Sequence, residues 1–84
     1  MKFKVEVRLK EAILDPQGKA VLQALHHLGY HQVKNVRIGK LIELEVEGEE
    51  KEALYKKVEE FSRKLLTNPL METFFIVTDE NHRR

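Results

Sequence analysis

The sequence contains no cysteine and no tryptophan, only two prolines, four glycines and one serine. Without cysteine there is no disulfide, no thiolate metal site and no cysteine nucleophile; the absence also fits a reducing compartment. The lone Ser62 sits among charged residues with no histidine nearby in sequence, so no serine nucleophile with its base is legible. A strong charge of one sign is missing as well: 15 basic residues face 14 acidic ones, for a net charge of +1. Nucleic-acid binders concentrate a basic excess on one surface, and here only the His82-Arg83-Arg84 end is locally basic. No apolar run approaches the roughly 20 residues that span a bilayer. The chain is charged from Lys2 onward, with no apolar signal-peptide core. The expectation is a cytoplasmic protein without nucleic-acid or membrane partners.

What is present is a strict alternation of hydropathy. In 84 residues there is room for one small core, and a domain of this size buries only roughly 60% of its unfolded surface. Phe3, Val5, Val7 and Leu9 alternate with charged residues from Lys2 to Lys10, the period of a strand with one buried face. Asp15-Pro16 opens a helix, with aspartate as N-cap and proline at the first helical position. Val21, Leu25 and Leu28, widened by Leu22 and Ala24, form its stripe, and Gly29 ends it.

Val36 to Glu47 reads as a hairpin. Pairing Ile38 with Ile42 and Val36 with Leu44 keeps the apolar residues on one face. Gly39-Lys40-Leu41 becomes the turn, with positive φ at Gly39 and Arg37 opposite Glu43. A second helix follows Gly48: Glu49, Glu50 and Glu52 lie near its start, Leu54, Val58, Phe61 and Leu65 form its stripe, and Asn68-Pro69 ends it. In the last strand, Met71 to Thr78, Phe74 and Ile76 share one face and Phe75 and Val77 the other, so both faces want burial.

The order β-α-β-β-α-β with right-handed crossovers predicts an α+β, ferredoxin-like domain: a four-stranded antiparallel sheet, ordered 4-1-3-2, with both helices on one face. It spans residues 1–79, and 80–84 read as a mobile polar tail. The order sets the outward Lys4 and Arg8 near Glu43 and Glu45.

Candidate chemistry is sparse. His26, His27 and His31 cluster, and His27 and His31 have i, i+4 spacing, but Gly29 intervenes, so solvated or interface histidines are expected and no metal site. Gly18 alone is a weak phosphate-loop signal that helix capping explains equally well. An RNA-recognition sheet would stack bases on outward aromatics, where this one presents Lys, Glu and Arg. A small phosphatase would need an anion-binding loop with an arginine, absent from Lys10 to Leu14. Two features exceed what the fold requires. One is the last strand, apolar on both faces; the other is the pair of turn segments Asp15-Pro16-Gln17-Gly18 and Thr67-Asn68-Pro69-Leu70-Met71-Glu72. Contact with another chain is the expectation for both.

Asp15-Pro16-Gln17-Gly18, Val36-Arg37-Ile38-Gly39-Lys40 and Leu65-Leu66-Thr67-Asn68-Pro69 before Glu72 resemble, in order and spacing, the PurS family. That family is the small subunit of phosphoribosylformylglycinamidine synthase where the enzyme is built from separate chains. The resemblance implies a carbon–nitrogen ligase complex of de novo purine synthesis that aminates formylglycinamide ribonucleotide with ATP and with ammonia released from glutamine. A glutaminase subunit releases the ammonia, and a synthetase subunit binds ATP, magnesium and substrate. The small subunit has no activity and no cofactor of its own. It forms a dimer or dimer of dimers, bridges the other two subunits and supports ammonia transfer. On this reading Asp15, Pro16, Gln17, Gly18, Lys40, Asn68, Pro69 and Glu72 contact the larger subunits, and Phe74 and Ile76 serve self-association. The competing reading is a small-molecule-sensing regulatory βαββαβ domain.

Overall fold

Phe3, Val5 and Val7 lie buried along one face of β1 (Lys2–Leu9), while Lys2, Lys4 and Arg8 stay exposed on the other. The computed structural model describes residues 1–48 and 50–78; the expected tail, 80–84, lies outside the described residues, as do Glu49 and Asp79. β1 is the centre of a three-stranded antiparallel sheet, flanked by β2 (Lys40–Glu45) and β3 (Glu72–Thr78). Lys2 faces Glu45 and Lys4 faces Glu43 in the β1–β2 register, while Arg8 faces Thr73 across β3.

The core forms where α2 (Lys51–Phe61) crosses the buried face. Leu54 and Val58 pack with Phe3, Val5, Val7 and Ile76, and Ile42, Leu44, Phe61, Leu66 and Phe74 close around them. Fully burying such a side chain stabilises by about 1.5–3 kcal/mol. The exposed helix ion pairs Glu59–Arg63 (3.8 Å) and Glu60–Lys64 (3.2 Å) contribute about 0.3–0.5 kcal/mol each. Burial therefore decides this half of the molecule.

The helix does not continue in α form to Asn68. Residues Ser62–Leu66 make a π-helical turn, closed by the Thr67 N–H donating to the Ser62 carbonyl at 3.0 Å. The wider turn rotates the following side chains away from the 3.6-residue stripe. Ser62, four residues after Val58, is buried; Leu66 packs on the core, while Leu65, expected inside, is 79% exposed.

The fold departs from expectation at one strand. Val36 to Ile38 do not pair with β2, so the sheet has three strands, and the Ile38–Ile42, Val36–Leu44 and Arg37–Glu43 pairs are not formed. Those residues cross the end of β1 instead. The Ile38 N–H donates to Asp15, and the Arg37 guanidinium reaches the Leu9 and Lys10 carbonyls. Gly39 does not have positive φ; among the described residues Gly29 and Gly48 do. Its role is close approach, since a Cβ there would strike the Val7 carbonyl oxygen.

The second departure is α1 (Pro16–His27). It is capped as the sequence implies, with the Asp15 side chain accepting from Gly18 and Gly29 at φ 101°. The Gly29 and Tyr30 N–H groups close its C-terminus onto the His26 and Leu25 carbonyls, each at 3.0 Å. None of its residues joins the core or the side chains packed against it; Leu22 and Leu25 are half-buried, and Val21 and Leu28 are exposed. The two helices therefore do not share the sheet's buried face. The molecule extends 50 × 26 × 16 Å with a radius of gyration of 16.0 Å, where a compact chain of this length would have about 12 Å.

Candidate partner interface

Three turn segments converge on the C-terminal end of β1, and Asp15 organises two of them. Its side chain is 6% exposed. One carboxylate oxygen accepts from the Gly18 N–H at 3.0 Å, the other from the Ile38 N–H at 2.8 Å. The Gly18 N–H first, and then that of Ile38, hold the carboxyl below the usual carboxylate range, with the Arg37 guanidinium adding to the effect against burial. Asp15 is thus an ionised clamp, and with both oxygens engaged it is not a poised general base.

Gly18 is fixed by the same geometry. A Cβ on it would collide with the Val36 carbonyl oxygen and the Asp15 carboxylate, so only glycine lets α1 approach the 36–38 segment this closely. Arg37 completes the corner, its Nη2 donating to the Lys10 carbonyl at 3.0 Å and, at a longer 3.4 Å, to that of Leu9.

Lys10 also ties in the third segment, because its N–H donates to the Met71 carbonyl at 2.8 Å. The 68–72 turn is internally closed. The Asn68 side-chain oxygen accepts from the Leu70 N–H at 3.0 Å, and a Glu72 carboxylate oxygen accepts from the Asn68 N–H at 2.7 Å. The Met71 and Glu72 N–H groups both donate to the Asn68 carbonyl. This Asx-type turn explains why asparagine precedes Pro69 and glutamate follows.

The structure thus brings Asp15–Gly18, Arg37–Lys40 and Asn68–Glu72 together at the C-terminal end of β1. It accounts for Asp15, Gly18, Asn68 and Glu72 by bonds within the chain, while Pro16, Gln17, Lys40 and Pro69 are exposed. Leu14, Leu70 (81% exposed) and Met71 add apolar surface beside them. Leu70 and Met71 lie within the segment expected to meet another chain; sequence reasoning missed Leu14, and missed Arg37 and Lys10 as the ties. A leucine outside every apolar period was the available signal for Leu14. Between the Glu11–Asp15 loop, α1 and Asn35–Arg37 lies an open hollow of about 430 Å³.

The two residues expected to serve self-association face inward. Ile76 is 4% exposed and in the core, and Phe74 packs against it. The β1–β3 register sets Phe74 and Ile76 beside Val7 and Val5, leaving Phe75 and Val77 beside the outward Glu6 and Lys4. Of the histidines, His26 rather than His27 meets His31, with ring centres 5.7 Å apart, and its Nε2 lies 2.7 Å from the Val33 carbonyl oxygen. Among the described residues no group of three His, Asp or Glu side chains could hold a metal ion, and no helix is long and apolar enough to cross a membrane. Ser62 is wholly buried, out of reach of a substrate.

Comparison with known proteins gives this arrangement a context. The family described as PurS, phosphoribosylformylglycinamidine (FGAM) synthase, matches residues 2–80. The phosphoribosylformylglycinamidine synthase subunit PurS of Bacillus subtilis is 46% identical over 79 residues, covering 94% of this chain and 93% of the relative. The solved structure of Methanocaldococcus jannaschii PurS superposes with a TM-score of 0.81 at 37% identity, covering 89% of this chain and 90% of the other. A chain in the structure of PurLQS from Thermotoga maritima superposes with a TM-score of 0.82 at 36% identity, covering 89% and 92%. A match over nearly the whole length, in sequence and in fold, means that the chain belongs to the PurS family of phosphoribosylformylglycinamidine synthase.

Proposed function

We propose that the chain is the non-catalytic bridging subunit of this enzyme. Its family makes it a PurS subunit of FGAM synthase, in purine biosynthesis, and the Thermotoga maritima relative occurs in a PurLQS structure. In the assembled enzyme the synthetase subunit uses ATP and magnesium, the glutaminase subunit uses glutamine, and this chain binds none of the three. Ammonia is protonated and lost in bulk water, so the two catalytic subunits must be held in sealed register. The observation that carries this reading is the corner at the end of β1. There a buried carboxylate and an arginine lock two turns that expose Pro16, Gln17 and Lys40, and Lys10 ties in a third that exposes Pro69 and Leu70. Hydrogen bonds spent on fixing exposed turns are what a rigid docking surface needs. The chain also self-associates, as a dimer or dimer of dimers, in the cytoplasm.

Reconstitution tests the reading. The chain mixed with its glutaminase and synthetase subunits, glutamine and nucleotide should give a ternary complex. Gln17→Ala combined with Leu70→Glu, both at exposed positions, should weaken that complex and lower glutamine-driven turnover on the order of tenfold. Turnover driven by added ammonium salt should persist. Equal loss of both would count against a bridging role.

A further inference from the structure

The chain reverses immediately after α1. Gly29 adopts φ 101°, and the Tyr30 N–H donates back to the Leu25 carbonyl at 3.0 Å. The reversal carries His31 against His26, with ring centres 5.7 Å apart and ring planes inclined by 31°. The i, i+4 spacing points to His27 as the partner of His31, but that spacing holds only while the helix continues. Gly29 breaks the helical phase, and the pair that forms is His26 with His31.

The hydrogen bond behind His26 decides what its ring can offer. Nε2 lies 2.7 Å from the Val33 carbonyl oxygen. A carbonyl only accepts, so Nε2 carries the hydrogen, and in the neutral ring the lone pair is on Nδ1. Metal-bound imidazoles are held in the same way. The far nitrogen donates to a carbonyl or carboxylate, which fixes both tautomer and ring orientation. His26 is half-buried, and its far nitrogen is engaged with main chain seven residues on instead of being left to water.

The spacing of the rings suits a shared ion. Imidazole nitrogens bind zinc at about 2.0–2.1 Å, which holds the centres of two rings on one ion about 5–6 Å apart. The observed 5.7 Å lies within that span. His26 is in the last turn of α1, where the helix dipole favours positive charge. Among the described residues no third histidine or carboxylate completes the set, so water fills the remaining positions. Two imidazoles without a carboxylate suit zinc, copper or nickel, whereas magnesium and calcium require oxygen ligands.

We infer that His26 and His31 form a two-imidazole site for a divalent transition-metal ion of the zinc class, with His26 binding through Nδ1. The bound ion clips the end of α1 to the 30–33 turn, which leads into the Val36–Lys40 segment. The site is independent of the bridging role proposed above, so its failure leaves that reading intact.

Calorimetric titration of the full chain with zinc chloride tests the site. One ion should bind per chain at micromolar concentration, and excess magnesium should not displace it. His26→Ala and His31→Ala should each weaken binding on the order of tenfold or more, while His27→Ala, at an exposed neighbouring position, should leave it unchanged. If His26→Ala frays the helix end, His26→Gln carries the same expectation, because its amide can still donate to Val33. Copper(II) supplies a second readout: its electron paramagnetic resonance spectrum should show two imidazole nitrogens in the wild type and one in the His31→Ala variant. No binding by the wild type would overturn the site. So would equal weakening by all three alanine substitutions, which is the behaviour of scattered surface histidines.

Discussion

The two helices of this small domain are held by different physics. α2 lies on the sheet through Leu54 and Val58, in contact with Phe3, Val5, Val7 and Ile76, and its stability comes from apolar area removed from water. α1 adds no side chain to that cluster. It is fixed by few atoms: the Asp15 carboxylate, the close approach at Gly18, and the caps at each end. The first kind of contact is non-directional and decides whether the chain folds. The second is directional and decides where the 15–18 and 36–40 segments point. A scaffold that presents surfaces needs both, and here they fall on different helices.

The contrast can be broken most forcefully on the α2 side. Phe3→Ala should cost about 3–5 kcal/mol, against a total of about 4–13 kcal/mol for a chain of this length. Denaturant titration should show global loss of stability, with every segment affected alike. Gly18→Ala should cost about 1–3 kcal/mol, because the added methyl meets a main-chain carbonyl and a fixed carboxylate. Its signature should be local: faster amide exchange in α1 and around Ile38, with β1 unchanged. Uniform acceleration would erase the distinction between the two ends.

A gentler lever is pH. The Asp15 carboxyl is held below its ordinary value in the folded chain. Its contribution is therefore complete above the unfolded value of about 3.9 and is lost as pH falls through the lower, folded value. Other carboxylates titrate in the same window, so the informative quantity is a difference. Between about pH 5 and pH 2, wild type should lose more α1 protection than Asp15→Asn, which cannot ionise. Parallel curves would mean that the charge on Asp15 is immaterial to the clamp.

How much of this was legible in the sequence depended on the range of the determining contact. β1 and β2 could be read because their period is local and one-sided, and the caps of α1 because Asp15, Pro16, Gly18 and Gly29 lie beside the ends they serve. Val36-Arg37-Ile38 carries the same alternation as a strand but does not become one. A carboxylate 23 residues earlier takes the Ile38 N–H, and Arg37 is drawn to the end of β1. Nothing local announces either contact. In β3 the difficulty was parity: with Phe and Ile on one face and Phe and Val on the other, only the register against β1 decides that Ile76 goes in and Phe75 out. The interface segments stood out because their residues exceeded what capping required. Their internal employment did not, since Asp15 spends one oxygen on a distant segment and Lys10 joins two turns through its main chain.

The smallest expected effect tests the least legible feature, the π-helical turn that ends α2. If the helix ran on in α form, Leu65 would stand one turn after Phe61 and two after Val58, on the stripe facing the sheet. The extra residue in the turn moves Leu66 onto that face and leaves Leu65 in solvent. Leu66→Ala should therefore cost about 1–2 kcal/mol, the loss of a half-buried leucine in contact with the core. Leu65→Ala should change stability by no more than about 0.5 kcal/mol, with no change in denaturant sensitivity. An α-helical ending reverses that order, so two melting curves suffice to discriminate. The same pair separates folding from docking, because Leu65 leads directly into the Asn68–Glu72 turn. A stability-neutral Leu65→Ala that nevertheless weakens assembly with the larger subunits would extend the docking surface one turn back along the helix.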